Sequence, residues 1–395
     1  MCAPAAERSV GSLLAVILGS GISITSVVNN SVLFYCLIRS KKCFQCYFQF
    51  LLVLSLFDVI ISMCYVPVIL VDSLKDWLNS VLLAKLWWSY FVYLLALTHV
   101  TMTAASFVLV CALLERYLIT IRSSQLKAFQ QRRSMACVCS LVLALVTKGG
   151  ILFELDIFPE EDESCRNTVN EFYVDMAAIN SNPLYGTVYR FWIRNIVTVF
   201  VPFFLLTFIN FKTLVKLKAQ LKEAKCQEGR KFSVRVENKR RSSIQSMSES
   251  EAEGPVRNDE DDTELQSFVH LVYIPLRLES VLNTTYSGII TQVRIISKVR
   301  SATWTLLLVC LLYLLSNLPN VIVTAWEFID IQSLQNEFFG FYMFSTDLVS
   351  LLVVVACAMR LPIYMLCNPE LRRVITNTMK LHIKPKIQQC KSDYL

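Results

Sequence analysis

The sequence predicts an all-α membrane protein: a seven-transmembrane helix bundle. Three observations predict it. Of the 395 residues, 54% are hydrophobic and only 17% charged, against roughly 25% charged in soluble domains. Seven apolar stretches each hold the ~20 residues that cross a bilayer as a helix. Basic residues gather in alternate loops between those stretches, as the positive-inside rule requires of a multi-pass chain.

The spans are expected near 12–38, 47–71, 86–118, 135–154, 188–212, 302–327 and 339–366. Helix is required because hydrocarbon offers no partner to an open backbone amide. The first apolar run continues to Ile38, too long for the ~7–15-residue core of a secretory signal. Arg39, Lys41 and Lys42 follow span one; Arg122, Lys127, Arg132 and Arg133 follow span three; Lys212, Lys216, Lys218 and Lys222 follow span five. Arg372, Arg373, Lys380, Lys384 and Lys386 follow span seven. Those sides are expected to be cytoplasmic. Residues 1–11 then form an extracellular N-terminus, and 367–395 a cytoplasmic segment. The chain is expected in the cell membrane.

The net charge of +7 would suggest nucleic acid in a soluble protein. Here the basic residues border spans, and no nucleic-acid partner is expected. Of the fourteen cysteines, Cys36, Cys64, Cys111, Cys137, Cys139, Cys310 and Cys357 lie in apolar runs, where cysteine acts as a small hydrophobe, and Cys43, Cys46, Cys226, Cys367 and Cys390 fall on the cytosolic segments. Only Cys2 and Cys165 are candidates for the extracellular side. The segment 213–300 is a long cytoplasmic loop whose charged, serine-rich block, KRRSSIQSMSESEAEGPVRNDEDD, has the composition of disorder. Ser242, Ser243 and Ser246–Ser250 are phosphosite candidates or plain spacer. FVHLVYIPLRLESVL, 268–282, is too charged to span and suits the membrane surface. The Asn283 sequon falls on the cytosolic side and is rejected.

Glu115-Arg116-Tyr117 closes span three in LLERYLITIRSS. Alone, such a triplet is only a snorkelling anchor. It occurs with Asn30 in VVNNSVLFY, Asp58 in LVLSLFDVII, Pro202 in VPFFLLTFIN, Pro319 in LLYLLSNLPN, and Tyr364 before NPELRR. Together these resemble the rhodopsin-like (class A) G-protein-coupled receptors over all seven spans, and the resemblance at NPELRR implies that 367–395 carry a short amphipathic eighth helix before the tail. LFELDI, LSNLPNVIVTAWEF, Asp347 and Leu361 resemble, more narrowly, the FMRFamide-type neuropeptide receptors of invertebrates. The resemblance implies a receptor for an extracellular ligand that activates a heterotrimeric G protein, with a coupling switch at Glu115, Arg116, Tyr117, Asn210 and Tyr364. It also implies a buried polar core of Asn30, Asp58 and Arg360. Helical phase and the family's pocket positions give Thr98, His99, Met102, Glu154, Arg194, Asn320 and Ser350 as ligand-binding candidates. Arg194 can take a ligand carboxylate or pair with Glu154; His99 can equally be a packed core residue.

The sequence departs from the family pattern in several places. Phe91 stands where span three usually carries a bridging cysteine, so Cys165 is either free or bonded to Cys2. Lys148 lies near a missing span-four tryptophan. Val299 replaces the acid that often locks the triplet arginine, which leaves the resting lock to Glu115 with Arg116 alone. Arg360 stands where the resembling receptors have an asparagine that helps enclose a sodium ion beside the span-two aspartate. An arginine at membrane depth costs ~2.5–3.5 kcal/mol unless it is paired or reaches the interface. Arg360 is therefore expected either to pair with Asp58 or to extend to the cytosolic side.

No cofactor or metal is expected. Three histidines, His99, His270 and His382, cannot assemble the His/Asp/Glu cluster of a membrane hydrolase, so an enzyme is not expected. A retinal protein needs a span-seven lysine, absent between Phe338 and Leu366. No internal repeat suggests a transporter. A chemosensory receptor for small molecules, or a non-receptor seven-span protein, is the alternative. The acidic loop carrying Asp156, Glu160, Glu161, Asp162, Glu163, Glu171 and Asp175 favours a basic peptide.

Overall fold

The computed structural model describes residues 10–39, 48–220, 222–223, 301–330 and 338–392. The chain divides into two units, Met1–Thr213 with Ser301–Leu395, and Leu214–Arg300. Of the second unit, only helical residues up to 220 and at 222–223 are described. The candidates Ser242, Ser243 and Ser246–Ser250, the segment 268–282 and Asn283 lie outside the described residues.

Among the described residues, seven helices are long and apolar enough to cross a membrane: Leu13–Arg39, Gln49–Trp77, Val81–Thr120, Arg133–Glu154, Leu184–Gln220, Ser301–Ile329 and Gly340–Cys367. Spans one, three, four and six agree with the expected ranges to within five residues at each end. The second span runs further than expected, because its helix survives Pro67 by loosening into a π turn over Val66–Leu70. Proline removes a backbone donor and crowds the preceding carbonyl. Span three also bonds to the carbonyls of this segment: Trp87 Nε1 donates to Val68 O at 3.0 Å and the Tyr90 hydroxyl to Pro67 O at 2.9 Å. Span three begins at Val81 because Ser80 caps it, its hydroxyl accepting from the Leu83 amide. Span five also starts early, as π helix at Leu184–Ile193 and Ile196–Phe200, just before Pro202.

Between spans four and five the chain forms a two-stranded antiparallel hairpin, β1 Leu155–Pro159 and β2 Phe172–Met176, with Leu155 opposite Met176 and Asp156 opposite Asp175. At the other end of the bundle a helix, Pro369–Ser392, follows span seven. Asn368 Oδ1 accepts from the amides of Glu370 and Leu371, while Pro369 and Glu370 occupy the first turn. That is the Asn cap, early proline and early acid of a well-specified helix start. Leu371 and Ile375, four residues apart, are buried.

Large apolar side chains such as Leu18, Leu82, Phe153, Phe208, Phe211 and Leu366 point outward along the spans, the surface a lipid solvent accepts. Spans one, two and seven are joined by small polar groups. Ser23 donates to Ser62 O, Ser62 to Ser26 Oγ at 2.7 Å, and Asn30 Nδ2 to Ser26 O and to Cys357 O, both at 3.0 Å. Such bonds join helices where water cannot compete. Spans five and six are joined by rings: Trp192 stacks on Phe328 at 4.6 Å, with Phe191 edge-on at 4.7 Å.

Candidate functional site

Buried charges organise the bundle interior. Asp58 and Arg360 are both buried, and one guanidinium nitrogen, Arg360 Nη1, lies 2.6 Å from each Asp58 oxygen. The Cys357 thiol donates to Asp58 Oδ1 at 3.4 Å. Arg360 therefore turns inward to the carboxylate rather than outward to the interface. Asn30 sits one helical layer away, bonded to the Cys357 carbonyl.

A second pair lies at the hairpin end. Arg194 Nη1 is 2.6 Å from both Glu154 oxygens, and the Tyr185 hydroxyl donates to Glu154 Oε1 at 2.8 Å. Of the two alternatives for Arg194, the structure contains the intramolecular pair. Arg194 Nε is buried without a hydrogen-bond partner.

The third pair corrects an expectation. Glu115 is held from span four: Arg133 reaches Glu115 Oε1 through both Nε and Nη2, and Gln130 Nε2 donates to the same oxygen at 3.3 Å. The lock does not rest on Glu115 with Arg116 alone. Neighbouring residues on a helix point in different directions, so Glu115 faces span four while Arg116 and Tyr117 are half-buried beside it. At the same end Asn210 and Tyr364 are buried, and Asn210 Oδ1 and the Tyr364 hydroxyl have no hydrogen-bond partner among the described residues.

Two adjoining cavities open inside the bundle. His99, Met102, Thr103, Lys148, Thr198 and Asn320 are among the residues lining the first, with Arg360 at its floor. Tyr65, Leu95, Thr98 and Ser350 line the second, which is mostly apolar, and Ile61, His99, Met102 and Val353 are common to both. Thr98, His99, Met102, Asn320 and Ser350 are thus brought to one interior space. Glu154 and Arg194 are engaged with each other instead. Lys148 and Thr198 are lining residues that the sequence reading did not assign.

Cys165 is buried and disulfide-bonded, which removes the free-thiol alternative. Cys64 and Cys111, in spans two and three, are free, so neither is the partner. Phe91, in the usual cysteine position, stacks on Trp87 at 4.1 Å, and ring packing occupies that place.

Residues 29–360 match the family model of the 7 transmembrane receptor (rhodopsin family). The chain belongs to that family. It is therefore a multi-pass G-protein-coupled receptor, a signalling protein and not an enzyme, that answers an extracellular ligand. A search of the curated proteins found no match.

Proposed function

We propose that the receptor is activated by a basic peptide, reached from the extracellular side at the β1–β2 hairpin. The observation that carries this is the cross-strand pair Asp156–Asp175. Like charges directly opposite each other on a hairpin are destabilising. Both residues are exposed, and among the described residues neither has an ion-pair partner. Exposed Glu160, Glu161, Asp162 and Glu163 extend the same negative surface. Hydrogen bonding from Ser164 holds the Asp162 carboxyl below its usual range, so it stays ionised. Such a surface raises the encounter rate of a cationic ligand. The narrower resemblance to FMRFamide-type neuropeptide receptors points the same way.

Basic residues flank the opposite end, which supports a cytoplasmic assignment for it and an extracellular N-terminus. There, binding favours one of two helix arrangements. A G-protein segment docks beside Arg116, Asn210 and Tyr364, whose buried polar atoms at Asn210 and Tyr364 offer bonds the resting bundle leaves unmade. Glu115, with Arg133, holds the resting arrangement. Thr98, His99, Met102, Asn320 and Ser350 contact the inserted part of the ligand. The test is a screen of basic peptides, free-acid and amidated, against cells expressing the receptor, read by calcium and cAMP. An activator that is small, neutral and indifferent to neutralising Glu160–Glu163 would overturn the peptide reading.

A further inference from the structure

The two cations lining the first cavity are treated differently. Arg360 is matched by Asp58. Lys148, part-way into span four, makes no hydrogen bond or ion pair among the described residues. Glu154 and Glu327 lie close enough to feel its charge, but Glu154 is held by Arg194 and Tyr185 and Glu327 is hydrogen-bonded to Tyr342. The same cavity is lined by Thr198, 8% exposed, whose Oγ1 has no hydrogen-bond partner among the described residues. Threonines in helices ordinarily return the hydroxyl to the i−4 carbonyl, as Thr98 and Thr207 do at 2.8 Å. Thr198 sits in the π segment Ile196–Phe200, and π segments are frequent at functional positions. An ionised lysine inside a span is costly to keep, and unpaired residues of this kind mark ligand or ion sites.

We infer that Lys148 anchors a carboxylate of the ligand, with the Thr198 hydroxyl donating to the same group. The apolar cavity beside it takes a hydrophobic group carried next to that carboxylate. This rests on the receptor reading above and deepens it. The ligand is basic where it meets the hairpin, and its inserted end is an apolar residue with a free carboxylate. An ammonium–carboxylate bond away from water is strong, and the neighbouring Arg194 adds to the positive field.

The test uses purified full-length receptor in detergent and two probes that differ only in charge, 4-phenylbutyrate and 4-phenylbutyramide. The readout is the unfolding temperature, which reports occupancy without signalling. Phenylbutyrate is expected to raise the unfolding temperature of the wild type and of Lys148→Arg, and phenylbutyramide is not. In Lys148→Met the apparent affinity for phenylbutyrate falls roughly tenfold or more, while the probe-free protein unfolds at or above the wild-type temperature. Thr198→Val weakens the probe effect with no loss of probe-free stability, and is a second arm should Lys148→Met fail to fold. Equal shifts from both probes, no shift from phenylbutyrate up to its solubility limit, or an undiminished shift in Lys148→Met or Thr198→Val would overturn the assignment. So would a folded Lys148→Met protein that unfolds well below wild type, since the lysine would then be structural. The receptor reading stands or falls separately, on G-protein activation in the peptide screen.

Discussion

Spans one, two and seven meet along a seam in which polar groups answer one another; spans four and five meet around the Glu154–Arg194 pair and, beside it, groups with no partner among the described residues. On the first side Ser23, Ser26, Ser62, Asn30, Asp58, Cys357 and Arg360 form a continuous run of bonds, with Asn30 Oδ1 the atom left over. On the second side Lys148, Thr198 Oγ1 and Arg194 Nε are unmatched, and the backbone is π helix over two segments. A fully satisfied polar network rigidifies a core. Unmatched groups return nothing to stability and remain available to a ligand. The bundle thus has a fixed half and a receptive half, and the contrast can be broken at several points.

The largest effect is expected at the fixed half. Arg360→Ala or Asp58→Ala leaves a buried charge alone, a loss of about 3–5 kcal/mol. Surface expression and unfolding temperature should both fall sharply, and the charge-swapped double variant should recover part of each. Single variants whose effects simply add would mean that the two residues do not act as a pair.

Glu154→Gln should cost less, about 1.5–3 kcal/mol. The side chain still accepts from Arg194, but the charge that offsets Arg194 and Lys148 is gone. Thermal unfolding measures it, and a loss equal to that of Asp58→Ala would erase the proposed difference between the halves.

Smaller still is the effect of single hydroxyls. Ser62→Ala removes a made bond to Ser26 and should cost about 1 kcal/mol. Thr198→Val removes a hydroxyl that bonds nothing, and should be neutral or slightly stabilising. The two variants measured side by side sharpen the comparison most cheaply.

At the hairpin no stability change is expected. Neutralising Glu160, Glu161, Asp162 and Glu163 should lower the association rate of a basic peptide agonist more than it raises the dissociation rate. The rate difference should shrink as salt screens it.

Much of this was legible in the sequence, for identifiable reasons. Seven spans were readable because hydrocarbon leaves a helix no alternative to ~20 apolar residues. Asp58 with Arg360 was half readable: the resemblance puts both beside one site, and a charge in an apolar run must be paired or reach the interface, but which of the two Arg360 does is decided only in the fold. Arg133 was not, because a loop-side arginine looks like a solvated charge until span four is placed against span three. The hairpin alternates in LDIF and FYVDM, a period-two signal hidden by the acidic composition of the loop. The π segments have no sequence code beyond the nearby prolines. Lys148 was visible as a lysine in a span, but its lack of a partner belongs only to the folded neighbourhood.

The Arg360 guanidinium sits beside Asp58, in the place where the resembling receptors hold sodium. The direct measurement is thermal unfolding of the purified wild type in sodium chloride against N-methylglucamine chloride at equal ionic strength. With Arg360 seated on Asp58, the two unfolding temperatures coincide. A sodium-specific rise in the wild type would show an ion bound where the account places the guanidinium, and would contradict it.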